Sequence, residues 1–276
     1  MKKSHSERLR SWQPPAEWMK ISTIDMHTEG EPLRVITEGL PEISGHTILE
    51  KRRYFRDHYD ALRTGLMFEP RGHADMYGAV MTEAVTDDGD FGVFFMHNEG
   101  YSTMCGHAII ALTKLVLETG MIRKKSGSVV LKIDAPPGRI IATANFDGEF
   151  ATQISFLNVP SFVLLNDKVV KVPELGSIRI DVAFGGAFYA LCDPGQLGLG
   201  LEPKDFSRLI SHGKKIKKAV MQQFAILHPH EKDLSFLYGT IFTGPALNPK
   251  NHSRNVCIFA EGEVDRSPTG SCLLYT

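Results

Sequence analysis

The sequence predicts an α+β protein in two parts, and three observations carry that reading. Most of the chain is a series of apolar, β-branched runs punctuated by glycine and proline. One helical segment, Cys105 to Gly120, has apolar residues nearly all the way round, so it is buried inside its domain rather than lying on a surface. Between two sets of strands, "NVPSFVL" reads as a crossover from one domain to the next. At 276 residues the chain has room for one large domain or two of ordinary size.

The elements follow in order. "STIDMHTEGEPLRVIT" is two strands around a turn. His46 to Leu66 has helical spacing, with Leu49, Tyr54, Tyr59 and Leu62 as its apolar stripe. "FEPRGHADMYGAVMTEAV" enters a strand, and "FGVFFMHNEGYSTM" is a strand followed by a loop. The buried helix comes next, with Gly120 placed where a left-handed C-terminal glycine belongs. Three strands fill "SVVLKIDAPPGRIIATANFDGEFATQISFLNV", with turns at Pro136-Pro137-Gly138 and Asp147-Gly148. Beyond the crossover, "SIRIDVAFGGAFYALC" supplies more strand. Glu202 to Leu227 is an amphipathic helix with Leu209, Ile216, Val220 and Phe224 inward and Lys214, Lys215, Lys217 and Lys218 outward. "LSFLYGTIFTG" and "NVCIFAEGE" are the last strands.

Composition excludes several function classes. Apolar residues make up 42% and charged residues 23%, and the net charge is -1, so nothing in the electrostatics favours nucleic acid or a membrane surface. No apolar run approaches the ~20 residues of a bilayer span. The four cysteines, Cys105, Cys192, Cys257 and Cys272, lack C-x-x-C spacing, which argues against structural zinc and a disulfide framework. Cys192 and Cys257 lie in apolar strands and read as core. Residues 1–20 carry Lys2, Lys3, Arg8 and Arg10 without an apolar stretch. They read as a disordered leader in a cytoplasmic protein, with a mitochondrial presequence as the alternative.

The chemistry concentrates in two short segments. In Met104-Cys105-Gly106-His107 a cysteine opens the buried helix. Helix starts offer free N–H groups and partial positive charge, which lower a thiol's pKa and can hold a substrate carboxylate. Read alone, Cys105 is also a small buried hydrophobe of the usual kind. A Cys–His hydrolase pair is the poorer reading, because residues two apart on a helix do not face each other. The second segment, Asp265-Arg266-Ser267-Pro268-Thr269-Gly270-Ser271, resembles another helix opening: Asp265 and Ser267 are capping types, and Pro268 suits a first turn. Two such openings facing each other would clamp one carboxylate. His27, between Asp25 and Glu29, has the residue types of a metal cluster but reads as structural, so no metal is expected. Arg71 and His73 line a cleft or tie down their loop.

The runs "DMHTEGEPLRV", "EPRGHADMYGAV", "HNEGYSTMCGHA", "FGGAFYA", "FLYGTIFTG" and "DRSPTG" together resemble the proline racemase family. The resemblance implies a two-domain fold of the proline racemase and diaminopimelate epimerase kind, each domain a β-barrel-like sheet around a central helix. It divides the chain into the leader at 1–20, a first domain at 21–158 with its central helix at 105–120, and a second at 159–276 that stops before its own central helix. It implies a small amino-acid substrate, no cofactor and, as in many relatives, a homodimer. Cys105 then matches the family's first catalytic cysteine, and Thr269 stands where racemases and epimerases keep the second. A threonine hydroxyl is too weak an acid to serve as that partner. The implied reaction is therefore loss of water from trans-3-hydroxy-L-proline, giving Δ1-pyrroline-2-carboxylate. Gly106, His107, Gly270 and Ser271 would hold the carboxylate, and Asp265 the ring nitrogen. Racemisation of proline, or epimerisation of 4-hydroxyproline, is the alternative. Family members continue beyond "GSCLLYT" with a further helix. The resemblance thus also implies an incomplete second domain, and a weakly active, inactive or non-catalytic chain.

Overall fold

The computed structural model describes residues 4–267. A seven-stranded sheet is formed by β1 (Ser22–Thr28), β2 (Glu31–Glu38), β3 (Tyr77–Thr82), β4 (Phe91–His97), β5 (Gly127–Ala135), β6 (Gly138–Phe146) and β7 (Ala151–Leu157), in chain order. β1 and β2 form a hairpin whose turn residues, Glu29 and Gly30, both have positive φ (50° and 93°), the conformation a two-residue hairpin turn needs. The pairs β2–β3 and β4–β5 are parallel and are bridged by helices; the other pairs are antiparallel.

Helix α3 (Gly106–Glu118) packs against β6 and β7 at one edge of this sheet and β1 and β2 at the other. A sheet whose two edges touch one helix is curled around it. Gly120, with φ 68°, ends the helix in the left-handed conformation. Helix α2 (Ile48–Met67) lies on the opposite face, opened by a capping box between Thr47 and Glu50. β4 is buried throughout because both faces are covered. Val93 and Phe95 join the cluster around α3, while Phe94 and Met96 join the cluster under α2.

The second sheet contains β8 (Phe162–Val172), β9 (Gly176–Phe184), β10 (Phe188–Cys192), β11 (Leu237–Pro245), β12 (Ser253–Phe259) and β13 (Glu263–Val264), in the order 13-12-11-10-9-8. Helix α4 (Phe206–Gln223) links the parallel pair β10–β11 and packs on β8, β11 and β12 through Leu209, Ile216, Ala219 and Val220. The two sheets share one continuous apolar core. Polar contacts also join them: Thr103 Oγ1 donates to the Gly186 carbonyl at 2.5 Å, and Asn158 Nδ2 to the Gly185 carbonyl at 2.8 Å. No helix of the described residues is long and apolar enough to cross a membrane.

Three expectations need correction. Residues His5–Ser11 of the expected disordered leader form a short exposed helix (α1), opened by a Ser4–Glu7 capping box. On α2 the buried positions are Ile48, Leu49, Arg52, Phe55, Arg63, Leu66 and Met67, while Tyr54, Tyr59 and Leu62 are only partly covered. Tyr59 leaves helical geometry (φ -131°), which turns the faces of the two halves of the helix relative to each other. The two arginines are accommodated because they are bonded: Arg63 pairs with Asp60 at 2.7 Å and donates to the His97 carbonyl at 3.0 Å, and Arg52 donates to the Ser102 carbonyl at 3.3 Å. On α4, Lys217 turns inward and donates to the Ala260 carbonyl at 2.5 Å.

Candidate active site

The candidate site lies where the two sheets meet. Cys105 is the N-cap of α3, with extended backbone (φ -149°, ψ 106°), and is 6% exposed. Gly106 and His107 form the first turn, so their N–H groups are among those with no partner inside the helix. His107 is held from three directions. Its carbonyl accepts from Thr28 Oγ1 at 3.0 Å, its Nε2 lies 3.2 Å from the Pro32 carbonyl, and its ring packs edge-on against Tyr77 at 5.0 Å.

His107 Nδ1 is also 3.2 Å from Cys105 Sγ. The expectation that these side chains do not face each other is therefore wrong. It assumed helical geometry at both positions, whereas a cap residue has extended backbone and swings its side chain over the first turn. Burial lowers the pKa of His107 to about 4, so its ring is neutral near pH 7. Nε2 then carries the proton given to Pro32, and Nδ1 presents a lone pair to the thiol.

The expected lowering of the Cys105 pKa is also reversed. Burial pushes the thiol well above its ordinary value. The Ala108 amide opposes this, while the nearby carboxyl groups of Asp265 and Glu31 reinforce it. The helix start is present, but the help its Ala108 N–H gives the thiolate is smaller than the effect of burial.

Asp265 follows β13, and its Oδ1 accepts the Ser267 N–H at 3.0 Å and the Ser267 hydroxyl at 2.9 Å. This is the local turn expected of a capping pair. Thr269, Gly270 and Ser271, the other expected site residues, lie outside the described residues, as does Cys272.

Glu31 was not singled out from the sequence. It opens β2 and has no exposed surface. Its Oε2 accepts the Arg266 N–H at 2.7 Å, while Oε1 is buried without a hydrogen-bond partner among the described residues. Single polar atoms of Glu31, His107 and Asp265 lie within 4.8 Å of one another, close enough to surround one small cationic group. Burial raises the Glu31 pKa to about 8; the Arg266 N–H opposes this and the charge of Asp265 adds to it. The only local hint was its place in a tight turn, since Arg266 is 235 residues away.

The remaining candidates take structural places. Asp25 pairs with Arg34 at 2.7 Å, and the Gly30 N–H approaches His27 Nδ1 at 3.4 Å. Arg71 donates to the Gly65 carbonyl at 2.5 Å and so ties down its loop. His73 lines a cavity of about 540 Å³ that also meets Asn98, Glu99 and Glu263. Cys192 and Cys257 are buried core thiols.

A buried thiol bonded to a neutral imidazole, with two carboxyl groups alongside, is equipment for moving protons on a small organic molecule. The proline racemase family profile matches residues 23–273, and the chain belongs to that family. It is 50% identical over 267 residues to a trans-3-hydroxy-L-proline dehydratase of Colwellia psychrerythraea, covering 96% of this chain and 75% of that protein. It is 43% identical to a 3-hydroxyproline 2-epimerase of Burkholderia multivorans, covering 91% of this chain and 75% of the relative. The crystal structure of a hydroxyproline epimerase from Agrobacterium vitis, with bound trans-4-hydroxy-L-proline, superposes with a TM-score of 0.86 at 29% identity, covering 92% of this chain and 76% of that one.

Proposed function

We propose that the protein dehydrates trans-3-hydroxy-L-proline to Δ1-pyrroline-2-carboxylate, with Cys105 as the base that removes the α-proton. The observation that carries this reading is the placement of the Cys105 sulfur at the mouth of α3, in one pocket with His107 and Asp265. The names of relatives at 50% and 43% identity support a hydroxyproline substrate. The first-turn N–H groups of α3 suit the substrate carboxylate, and Asp265 suits the ring ammonium. Carboxylate stabilisation by fixed donors lowers the cost of forming charge at the α-carbon. In the free protein Cys105 rests as a thiol. Burial is the main reason, and the charge of Asp265 adds to it; an ammonium group arriving beside Asp265 offsets that second contribution, so substrate eases formation of the thiolate.

The competing reading is inversion at the α-carbon, which the epimerase relative keeps in view. Thr269, in the place of a second acid–base cysteine, favours elimination, which needs no proton delivered to the opposite face. Incubation with trans-3-hydroxy-L-proline should yield the pyrroline product, and with L-proline no D-proline. Cys105→Ser should abolish product formation while leaving the fold intact by circular dichroism. Unchanged turnover in that variant would remove Cys105 from the mechanism, and accumulation of inverted amino acid would favour the epimerase reading.

A further inference from the structure

We propose that Glu31 donates the proton with which the 3-hydroxyl leaves as water. This role rests on the dehydratase reading above. Stereochemistry sets the requirement. In trans-3-hydroxy-L-proline the hydroxyl is trans to the carboxylate, so it shares a ring face with the α-hydrogen. The group that protonates the leaving oxygen must therefore stand on the same side as the base, Cys105. Hydroxide leaves carbon poorly, and general-acid help at such a step is worth about 10²–10⁴-fold.

Among the described residues Glu31 fits that place. It comes from the same curled sheet that carries α3, and one of its carboxyl oxygens lies within 4.8 Å of the polar atoms of His107 and Asp265. Its Oε2 is occupied by the Arg266 N–H, while Oε1 is buried and has no partner among the described residues. A buried oxygen left empty is costly in a folded protein unless a ligand completes it. Neighbouring groups are less suited. His107 is neutral and has Nε2 against Pro32, and the Tyr77 hydroxyl is bonded to Ser102. Glu31 keeps its proton near neutral pH because burial and the adjacent Asp265 disfavour its charge.

The step balances without any co-reactant. The Cys105 thiolate takes the α-hydrogen and becomes a thiol. The C–H electron pair forms the C2–C3 double bond as the C3–O bond breaks, and the departing oxygen takes the Glu31 proton to give water. The enamine gains a proton at C3 and loses one from nitrogen to give the pyrroline. Cys105 releases its own proton to solvent as the thiolate forms, and the Glu31 carboxylate regains one from solvent after the product leaves, so the thiol and the protonated Glu31 of the resting protein are both restored.

Glu31→Gln tests the role with three substrates. The variant should dehydrate trans-3-hydroxy-L-proline about 10²–10⁴-fold more slowly than the unaltered protein. It should still exchange the α-hydrogen of L-proline with D2O within a few-fold of the unaltered rate. It should also release fluoride from trans-3-fluoro-L-proline, since fluoride departs with far less acid assistance. Normal dehydration by the variant overturns the proposal. An equal loss of exchange, elimination and fluoride release would assign Glu31 a structural role and overturn it equally. Should the unaltered protein exchange proline but form no pyrroline, the dehydratase reading fails and this role with it.

Discussion

Replacing Glu31 with glutamine should stabilise the protein in a pH-dependent way. A carboxyl group with an ordinary pKa of 4.5 and a folded value of about 8 binds its proton more tightly in the folded state. Between those values the unfolded chain has released a proton that the folded chain retains, so stability falls as pH rises and levels off above about 8. At about 1.4 kcal/mol per pH unit, the full span costs on the order of 5 kcal/mol. Glutamine carries no such charge, and its carbonyl can still accept the Arg266 N–H. Urea unfolding of both proteins across this range, followed by circular dichroism, gives the difference directly. The two should be similar near pH 4.5, with the variant increasingly the more stable toward pH 8. A difference independent of pH would show that Glu31 ionises normally when folded, and would refute the burial argument.

Asn98→Ala should cost about 1–3 kcal/mol in urea melts, because the side chain accepts the Met76 N–H at 2.9 Å and donates to the carbonyls of Met67 at 2.9 Å and His73 at 3.0 Å, leaving three backbone groups to find other partners. Asp134→Asn should destabilise at neutral pH but not in acid: burial alone would raise the Asp134 pKa, yet bonds from Thr86, Arg139 and Val85 outweigh it and hold the carboxyl below its ordinary 3.8, so its contribution is present above that value and is lost as pH falls through the lower folded one. Melting curves on an acid series should bring variant and parent together; a constant gap would contradict this.

The strands and α3 were legible because their signals are local. Glycine and proline mark the turns, and an apolar run with Gly120 behind it can hardly be anything but a buried helix. The inward face of α2 was not legible. Arg52 and Arg63 are buried against carbonyls at positions 102 and 97, and no nearby residue announces those partners. Cys105 and His107 stood out as residue types, but their contact did not, because it depends on cap geometry rather than helical spacing. Glu31 was the least visible. Its neighbours in sequence suggest a solvated turn, and only the meeting of β2, the start of α3 and the stretch after β13 makes it a buried acid.

One physical cause ties the site together. The seam between the sheets is lined with rings as well as charges: Tyr77 packs against His97 and Phe259, and His97 against Tyr238, while His97 Nδ1 meets Glu263 across the seam at 3.3 Å. Burial in this seam raises the pKa of Cys105 and Glu31 alike. For an acid that is useful, since Glu31 keeps a proton that a solvated glutamate would have lost. For a base it is a handicap in the empty site, since the thiol also keeps its proton. On the dehydratase reading the substrate ammonium offsets Asp265 and so eases ionisation at both groups, and Glu31 holds its proton because it shares it with the substrate hydroxyl. The thiolate is then easier to form when the site is filled, and the stability lost by burying Glu31 is the cost of having an acid ready on the same face.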